Sequence, residues 1–348
     1  MKYLGLHDDG MCYAAPREYE FIFYYEKNWA EILSDTYYKC EQLDVGHKFR
    51  PRLVYWGFTI NGTNDFTDND FNQISKIAVS IELIHKASLL LDDFIDKDTA
   101  RHGKPTFHTI YGVDRTVIYS LNILSLSLRI LNDTFYEYSS SNILMWKSMT
   151  SLTSTLQDMT LGVLKELDLP DNFDQHLNQI KDIMNLETSS LITTSLLAGI
   201  YMAGVTDNDI LSNVKSIGTK FGFIFQGLND LEPFCSVHNA AHKGSINTDF
   251  SRNRKNICIS ILYQLITTKE KYKLDNGTSA QNDTLLLELF RKYSIYSIIM
   301  NEIDNVLNSI QADINALKNL SSLQKSIWPE ELYNFVLSTI EVCKNRLN

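Results

Sequence analysis

Proline is scarce in this chain. With six in 348 residues, long stretches contain nothing that breaks a helix, and Pro51, Pro105, Pro170 and Pro329 fall at segment edges, where helices are punctuated. Cysteine is scarce too. Cys12, Cys40, Cys235, Cys258 and Cys343 are odd in number and far apart, which argues for free thiols in a reducing compartment over a disulfide or zinc framework. No apolar run is long enough to span a bilayer. The N-terminus has neither a secretory apolar segment nor an Arg/Ser-rich transit pattern, so the cytoplasm is the expected location. The triplets at Asn61 and Asn276 then carry no glycosylation meaning. Positive charge is in deficit. A net charge of -10 disfavours nucleic acid as a partner, and an anionic ligand must be held by locally gathered Arg, Lys or metal. Fixed-period repeats and Pro/Gly/Ser linkers are both missing, so residues 1–348 are read as one domain, with 1–40 an N-terminal helical segment.

What is present is helical patterning. Residues 74–91, 121–131, 178–202 and 293–317 carry apolar side chains at mixed three- and four-residue intervals, without sustained alternation. The expectation is an all-α protein of ten or more helices, with 44% hydrophobic residues giving ample material for a core. Polar stretches at 61–70 and 275–283 are expected to be surface loops. The aromatic cluster from Tyr19 to Trp29 is expected to pack a helix onto the bundle or onto a second subunit.

Set against this frame, Leu89 to Asp96 places three carboxylates at the end of an apolar stretch. At roughly 100° per residue, Asp92 and Asp96 lie one turn apart on one face, with Asp93 beside them. Like charges so placed repel, and a cation converts repulsion into attraction. Oxygen ligands from few side chains suit Mg²⁺, which keeps room for waters and substrate phosphates. His85 lies two turns earlier on nearly the same face. Basic residues follow at Arg101-His102-Gly103-Lys104, and an earlier basic knot runs Gly46-His47-Lys48-Phe49-Arg50-Pro51-Arg52. Phe225-Gln226-Gly227-Leu228-Asn229-Asp230 ends another apolar helix with metal-capable side chains, trailed by Arg252-Asn253-Arg254-Lys255. Arg suits phosphate because its planar fork donates two parallel hydrogen bonds.

The run from Glu82 through His85, Asp92, Asp93 and Asp96 to Arg101-His102-Gly103-Lys104-Pro105-Thr106 resembles the first aspartate-rich region of the trans-isoprenyl diphosphate synthases, the polyprenyl synthetase family. The order of the basic knot and the Phe225-Gln226 segment is similar as well, and the resemblance covers about residues 40 to 270. It implies a class I isoprenoid synthase bundle around a central apolar cavity, working as a homodimer. It also implies a catalytic group of Asp92, Asp93, Asp96 and Arg101, with two or three Mg²⁺ ions on Asp92, Asp96, Asn229 and Asp230. Substrate diphosphates fall to His47, Lys48, Arg50, His85, Arg101, His102, Thr188, Gln226, Arg254 and Lys255. The implied reaction ionises an allylic diphosphate and condenses it with isopentenyl diphosphate. Small residues below the metal site, Ala87 and Ser88, imply a chain-length pocket open to products of fifteen carbons or more.

The sequence departs from the family pattern in four places. Asn229 stands where the second motif begins with Asp, and Pro233 where it ends with one. Glu187-Thr188 replaces a Lys-Thr pair, a reversal in which each charge unit is of order 3 kcal/mol at about 6 Å and an effective dielectric near 20. His102 stands at a cationic position, and so does His47 if the knot is aligned on Arg50-Pro51; a different loop length puts Lys48 there instead. Two further readings therefore accompany the first: a terpene cyclase or a prenyltransferase with another acceptor, and a non-catalytic subunit that modulates an active partner.

Overall fold

The computed structural model describes residues 17–38, 43–44, 48–62, 65–101, 103–138, 142–169, 177–235, 256–276 and 279–347. Their helices are α1 (Glu18–Ser34), α2 (Phe49–Phe58), α3 (Asp68–Ile95), α4 (Phe107–Tyr111), α5 (Val113–Tyr138), α6 (Asn142–Asp168), α7 (Leu177–Met184), α8 (Ser190–Met202), α9 (Asn208–Cys235), α10 (Ile257–Leu265), α11 (Thr268–Asn276), α12 (Ser279–Lys292), α13 (Ile295–Asn319) and α14 (Trp328–Asn345). A two-residue hairpin, β1 (Ala100–Arg101) with β2 (Lys104–Pro105), is the one sheet among the described residues. No described helix is long and apolar enough to cross a membrane.

The central element is α3, about 42 Å of helix at 1.5 Å per residue. It starts at a reciprocal cap: Thr67 N–H donates to Asp70 Oδ2 at 2.7 Å, and Asp70 N–H donates to Thr67 Oγ1 at 3.3 Å. Its middle, from Phe71 to Leu90, is buried nearly all round, because α1, α2, α5 and α8 pack on different sides of it. Phe21, Tyr25 and Trp29 of α1 are buried, and the Phe21 and Tyr55 rings stack with centroids 4.7 Å apart. Phe21, Tyr25 and Trp29 thus pack α1 onto the bundle, while Tyr19 and Phe23 of the same cluster are exposed.

Backbone contact sets the spacing of α2 and α8. A Cβ on Gly57 would lie 2.1 Å from the Leu196 carbonyl oxygen, and one on Gly199 would lie 1.9 Å from that of Val54. Neither position tolerates a side chain at this separation. A buried ion pair, Arg52 Nε to Glu18 Oε1 at 2.6 Å, fastens α1 to α2, and the Trp328 indole donates to the Trp56 carbonyl at 2.8 Å to bring in α14.

One expectation about loops needs correction. Residues 275–283 are not a single surface loop: α11 runs to Asn276 and α12 begins at Ser279. Ala280, Gln281 and Leu285 to Leu287 are good helix formers, which offsets the polar residues around them. Cys12 and Cys40 lie outside the described residues; Cys235, Cys258 and Cys343 form no disulfide among the described residues.

Candidate active site

The acidic end of α3 is organised by the hairpin that follows it. Lys97 takes a left-handed conformation, φ 58°, and Asp98 N–H donates back to the Asp93 carbonyl at 2.9 Å, so the chain reverses immediately after the carboxylates. Thr106 Oγ1 donates to the Asp98 carbonyl at 2.6 Å and anchors the far strand, while Gly103 supplies the turn at φ 73°. The reversal returns Arg101 to α3. Its Nε lies 2.5 Å from Asp93 Oδ1 and its Nη2 3.0 Å from Asp92 Oδ2.

The three carboxylates are therefore not equivalent. Asp93 is buried, and burial raises its carboxyl above the ordinary range even against the pull of Arg101. Asp92 is exposed and Asp96 half-buried. Burial opposes charge on Arg101, yet Asp92, Asp93 and Asp98 together hold its guanidinium above the ordinary value. Asp93 and Arg101 form the base of the site, with Asp92 and Asp96 above it.

Glu187 faces them. It lies in a single wide π turn, Asn185–Ser189, between α7 and α8. Burial, followed by the charges of Glu166, Asp92, Asp96 and Asp230, pushes its carboxyl up to about 9. Those four partners come from α3, α6 and α9, which places both aspartate-bearing helix ends around one carboxyl. Glu187 Oε1 is buried without a hydrogen-bond partner. Gly162 on α6 makes room for the side chain, since a Cβ there would lie 2.6 Å from Glu187 Cγ.

The α9 side is built differently. Thr188 Oγ1 donates to Gln226 Oε1 at 2.9 Å, and Gln226 Nε2 donates to Asp230 Oδ1 at 2.7 Å. Asp230 Oδ2 accepts the Ile257 N–H at the start of α10, 2.9 Å away, an arrangement the helix dipole favours. Asp230 is buried and Asn229 half-buried.

Hard oxygen donors with an orphaned buried carboxylate oxygen among them fit a dication such as Mg²⁺. Among the described residues no three His, Cys, Asp or Glu side chains already converge on one point, so chelation requires side-chain rotation by the carboxylates.

The basic residues divide. Arg50 is buried over the Phe49 ring, its guanidinium lowered to about 10 by burial against the opposing charge of Glu82, and its Nε has no hydrogen-bond partner. His85 is held well below its usual value, by burial first and then by Arg50, Lys86 and Arg101, so its imidazole is neutral at pH 7. Lys48 is occupied elsewhere: Nζ lies 2.9 Å from Asp44 Oδ1 and 4.6 Å above the Trp29 ring. His47, His102, Arg254 and Lys255 lie outside the described residues. Ala87 is buried, and half-buried Ser88 donates to the His85 carbonyl at 2.8 Å. Deeper in the bundle, Ile81, Leu131, Leu152, Ala198 and Tyr201 border one another between α3, α5, α6 and α8, with no room for a water molecule among them.

Two residues of this region carried no role in the sequence reading. Lys86 and Glu82 form a buried i,i+4 ion pair at 3.2 Å. Opposite charges one turn apart inside an apolar run were the available signal.

Comparison with known proteins gives the family and the fold. A geranylgeranyl diphosphate synthase from Sulfolobus acidocaldarius is 23% identical over 239 residues, 66% of this chain and 71% of that protein. A heptaprenyl diphosphate synthase component 2 from Bacillus subtilis is 28% identical over 239 residues, 68% of this chain; the match spans 63% of the relative, under two thirds of its length. The crystal structure of a geranylgeranyl pyrophosphate synthase from Corynebacterium glutamicum, complexed with isoprenyl diphosphate and magnesium, shares the fold with a TM-score of 0.74 at 16% identity, covering 92% of this chain and 96% of that one. The Polyprenyl synthetase family pattern matches residues 33–289, well over half of the sequence, and the chain belongs to that family.

Proposed function

We propose that the protein is a Mg²⁺-dependent trans-prenyltransferase that ionises an allylic diphosphate and joins the cation to isopentenyl diphosphate, giving a longer polyprenyl diphosphate. One observation carries this reading: the Arg101-braced carboxylates of α3 lie in the same electrostatic field as Glu187 and Asp230. Mg²⁺ on Asp92 and Asp96, with Asn229 and Asp230 opposite, supplies the positive charge that stabilises a departing diphosphate.

The chain's own residues do the rest. Asp93 orients Arg101 so that its guanidinium edge lies beside Asp92 at the place the donor diphosphate takes. Arg50 and His85 receive the acceptor diphosphate, Arg50 as a charged fork and neutral His85 as a hydrogen-bond donor. Leu90, Ala87 and Ile84, buried on α3 below the carboxylates, keep water from the allylic cation. The released diphosphate accepts the proton lost when the new double bond forms. The small side chains of Ala87 and Ser88, below the carboxylates on α3, support a product of fifteen carbons or more.

A homodimer is part of the same proposal. Ile118 and Leu121 on α5, with Trp146, Leu161 and Leu164 on α6, are exposed large apolar side chains, more than an isolated surface normally shows in one region. Light scattering on the purified chain should give twice the monomer mass; a monomer at micromolar concentration would refute the assignment.

The reaction itself is tested by incubating the protein with Mg²⁺ and farnesyl diphosphate, with and without isopentenyl diphosphate, and weighing the products. A diphosphate longer by one or more five-carbon units, formed only when isopentenyl diphosphate is present, is the expected result. A hydrocarbon or alcohol formed without it transfers the assignment to a cyclase.

A further inference from the structure

A third wall of the site is the π turn of Asn185–Ser189. Its place is fixed by two glycines. On α6 a Cβ at Gly162 would lie 3.0 Å from Leu186 Cβ and 2.6 Å from Glu187 Cγ, and on α9 a Cβ at Gly222 would lie 2.4 Å from Ser189 Cα. The turn therefore sits close against both helices, and Thr188 ties it to Gln226 at 2.9 Å and through Gln226 to Asp230 at 2.7 Å. Glu187 is held there with its Oε1 enclosed and unpartnered. The strongest charges acting on it, those of Glu166, Asp92, Asp96 and Asp230, are all of its own sign. A π turn is a rare device found mostly at functional sites, and an orphaned carboxylate oxygen among carboxylates calls for a cation. The α9 end offers a cation little by itself. Asn229 is neutral, and both oxygens of Asp230 already accept hydrogen bonds.

Resting on the prenyl-transfer reading, we propose that Glu187 is a metal ligand of this site, supplying from the π turn the carboxylate that position 229 lacks. A carboxylate brings Mg²⁺ a full charge where an amide oxygen offers only a dipole. Ligation requires the ionised form, so the cation displaces the proton that crowding keeps on Glu187 in the metal-free chain. Opposite the α3 aspartates, Glu187 is thereby converted from a charge that repels diphosphate into one that helps to hold the ions binding it.

The test reads metal binding directly. Mn²⁺, which takes the same oxygen-ligand geometry as Mg²⁺, is titrated into the full-length chain with inorganic diphosphate present. Free Mn²⁺ is followed by electron paramagnetic resonance against a protein-free blank, and Mg²⁺ is added as competitor. Glu187→Gln should weaken Mn²⁺ binding about tenfold or more, since losing even an outer partner of a metal ligand costs that much. Its metal-free melting temperature should stay at or above that of wild type, because the crowding of carboxylates is relieved. Adding Asn229→Asp to Glu187→Gln should return the affinity to within about threefold of wild type. Unchanged Mn²⁺ affinity in Glu187→Gln with a lowered melting temperature marks a structural role and overturns the proposal. So does a loss of affinity that Asn229→Asp fails to recover, and both outcomes leave prenyl transfer intact. Absence of metal binding by the wild-type chain overturns this proposal, and the prenyl-transfer reading falls with it if farnesyl diphosphate is also left unreacted by isopentenyl diphosphate and Mg²⁺.

Discussion

The two acidic helix ends look alike in sequence and differ in construction. At the end of α3, Asp93 is sunk beneath Arg101 while Asp92 remains exposed and Asp96 half-buried. At the end of α9, Asp230 is buried with both carboxylate oxygens engaged, one by Gln226 and one by the start of α10. Charge on α3 is thus available to a ligand, whereas charge on α9 also holds the fold together. The uncharged Asn229 belongs to this second, more architectural half.

Substitution can break that contrast. Asp92→Asn should reduce kcat by about 10²–10³-fold, the range seen when one preorganised group at a developing charge is removed, with little change in the denaturation midpoint measured without Mg²⁺. Asp230→Ala should do the reverse in the metal-free protein. It leaves the Ile257 N–H and the Gln226 amide without their acceptor and should cost about 1–3 kcal/mol of stability in urea titration. If Asp92 proves the more destabilising of the two without metal, the division of labour is wrong.

Glu187 offers a test through pH. Its carboxyl, pushed up to about 9 in the folded chain, keeps its proton at pH 7, while in the unfolded chain it ionises near the ordinary value of 4.3. Stability from this group is full below the unfolded value and falls as pH rises toward 9, by up to about 1.4 kcal/mol per pH unit. In EDTA, the melting temperature of wild-type protein should drop more steeply from pH 6 to 8 than that of Glu187→Gln. Equal slopes would remove Glu187 from the field of the aspartates. The smallest effect is expected for Asn229→Asp, which should tighten Mg²⁺ binding a few-fold, less than about 1 kcal/mol, in a direct titration. An unchanged affinity would place residue 229 outside the metal's reach.

Much of the bundle could be read directly from the chain. The three- and four-residue spacing in 74–91 and 121–131 lies within α3 and α5, and the i,i+4 relation of Asp92 and Asp96 put them on one face. Sidedness was harder. Adjacent carboxylates at 92 and 93 differ by one residue, and the choice of which turns inward is made by Arg101, eight residues on, through a hairpin that depends on Lys97 and Gly103. Lys48 read as a ligand cation because Asp44 and Trp29 close on it only in three dimensions. Lys86 was overlooked for the opposite reason: a lysine inside an apolar run reads as an interruption until Glu82 is seen one turn away. The π turn that carries Glu187 has no local sequence mark, and it fits beside α6 because Gly162 lacks a side chain.

The contact between Gly57 and Gly199 bears on how far this scaffold can be repacked. With α2 and α8 separated by little more than the thickness of two backbones, no atoms remain to trim on that wall, and any added methyl would force it apart. On its other side α8 presents Thr194, Ala198 and Tyr201 beside Ile81, Leu131 and Leu152 of α3, α5 and α6. One side of α8 is thus a fixed rail and the other is set by side chains, so repacking around this helix has a single productive direction.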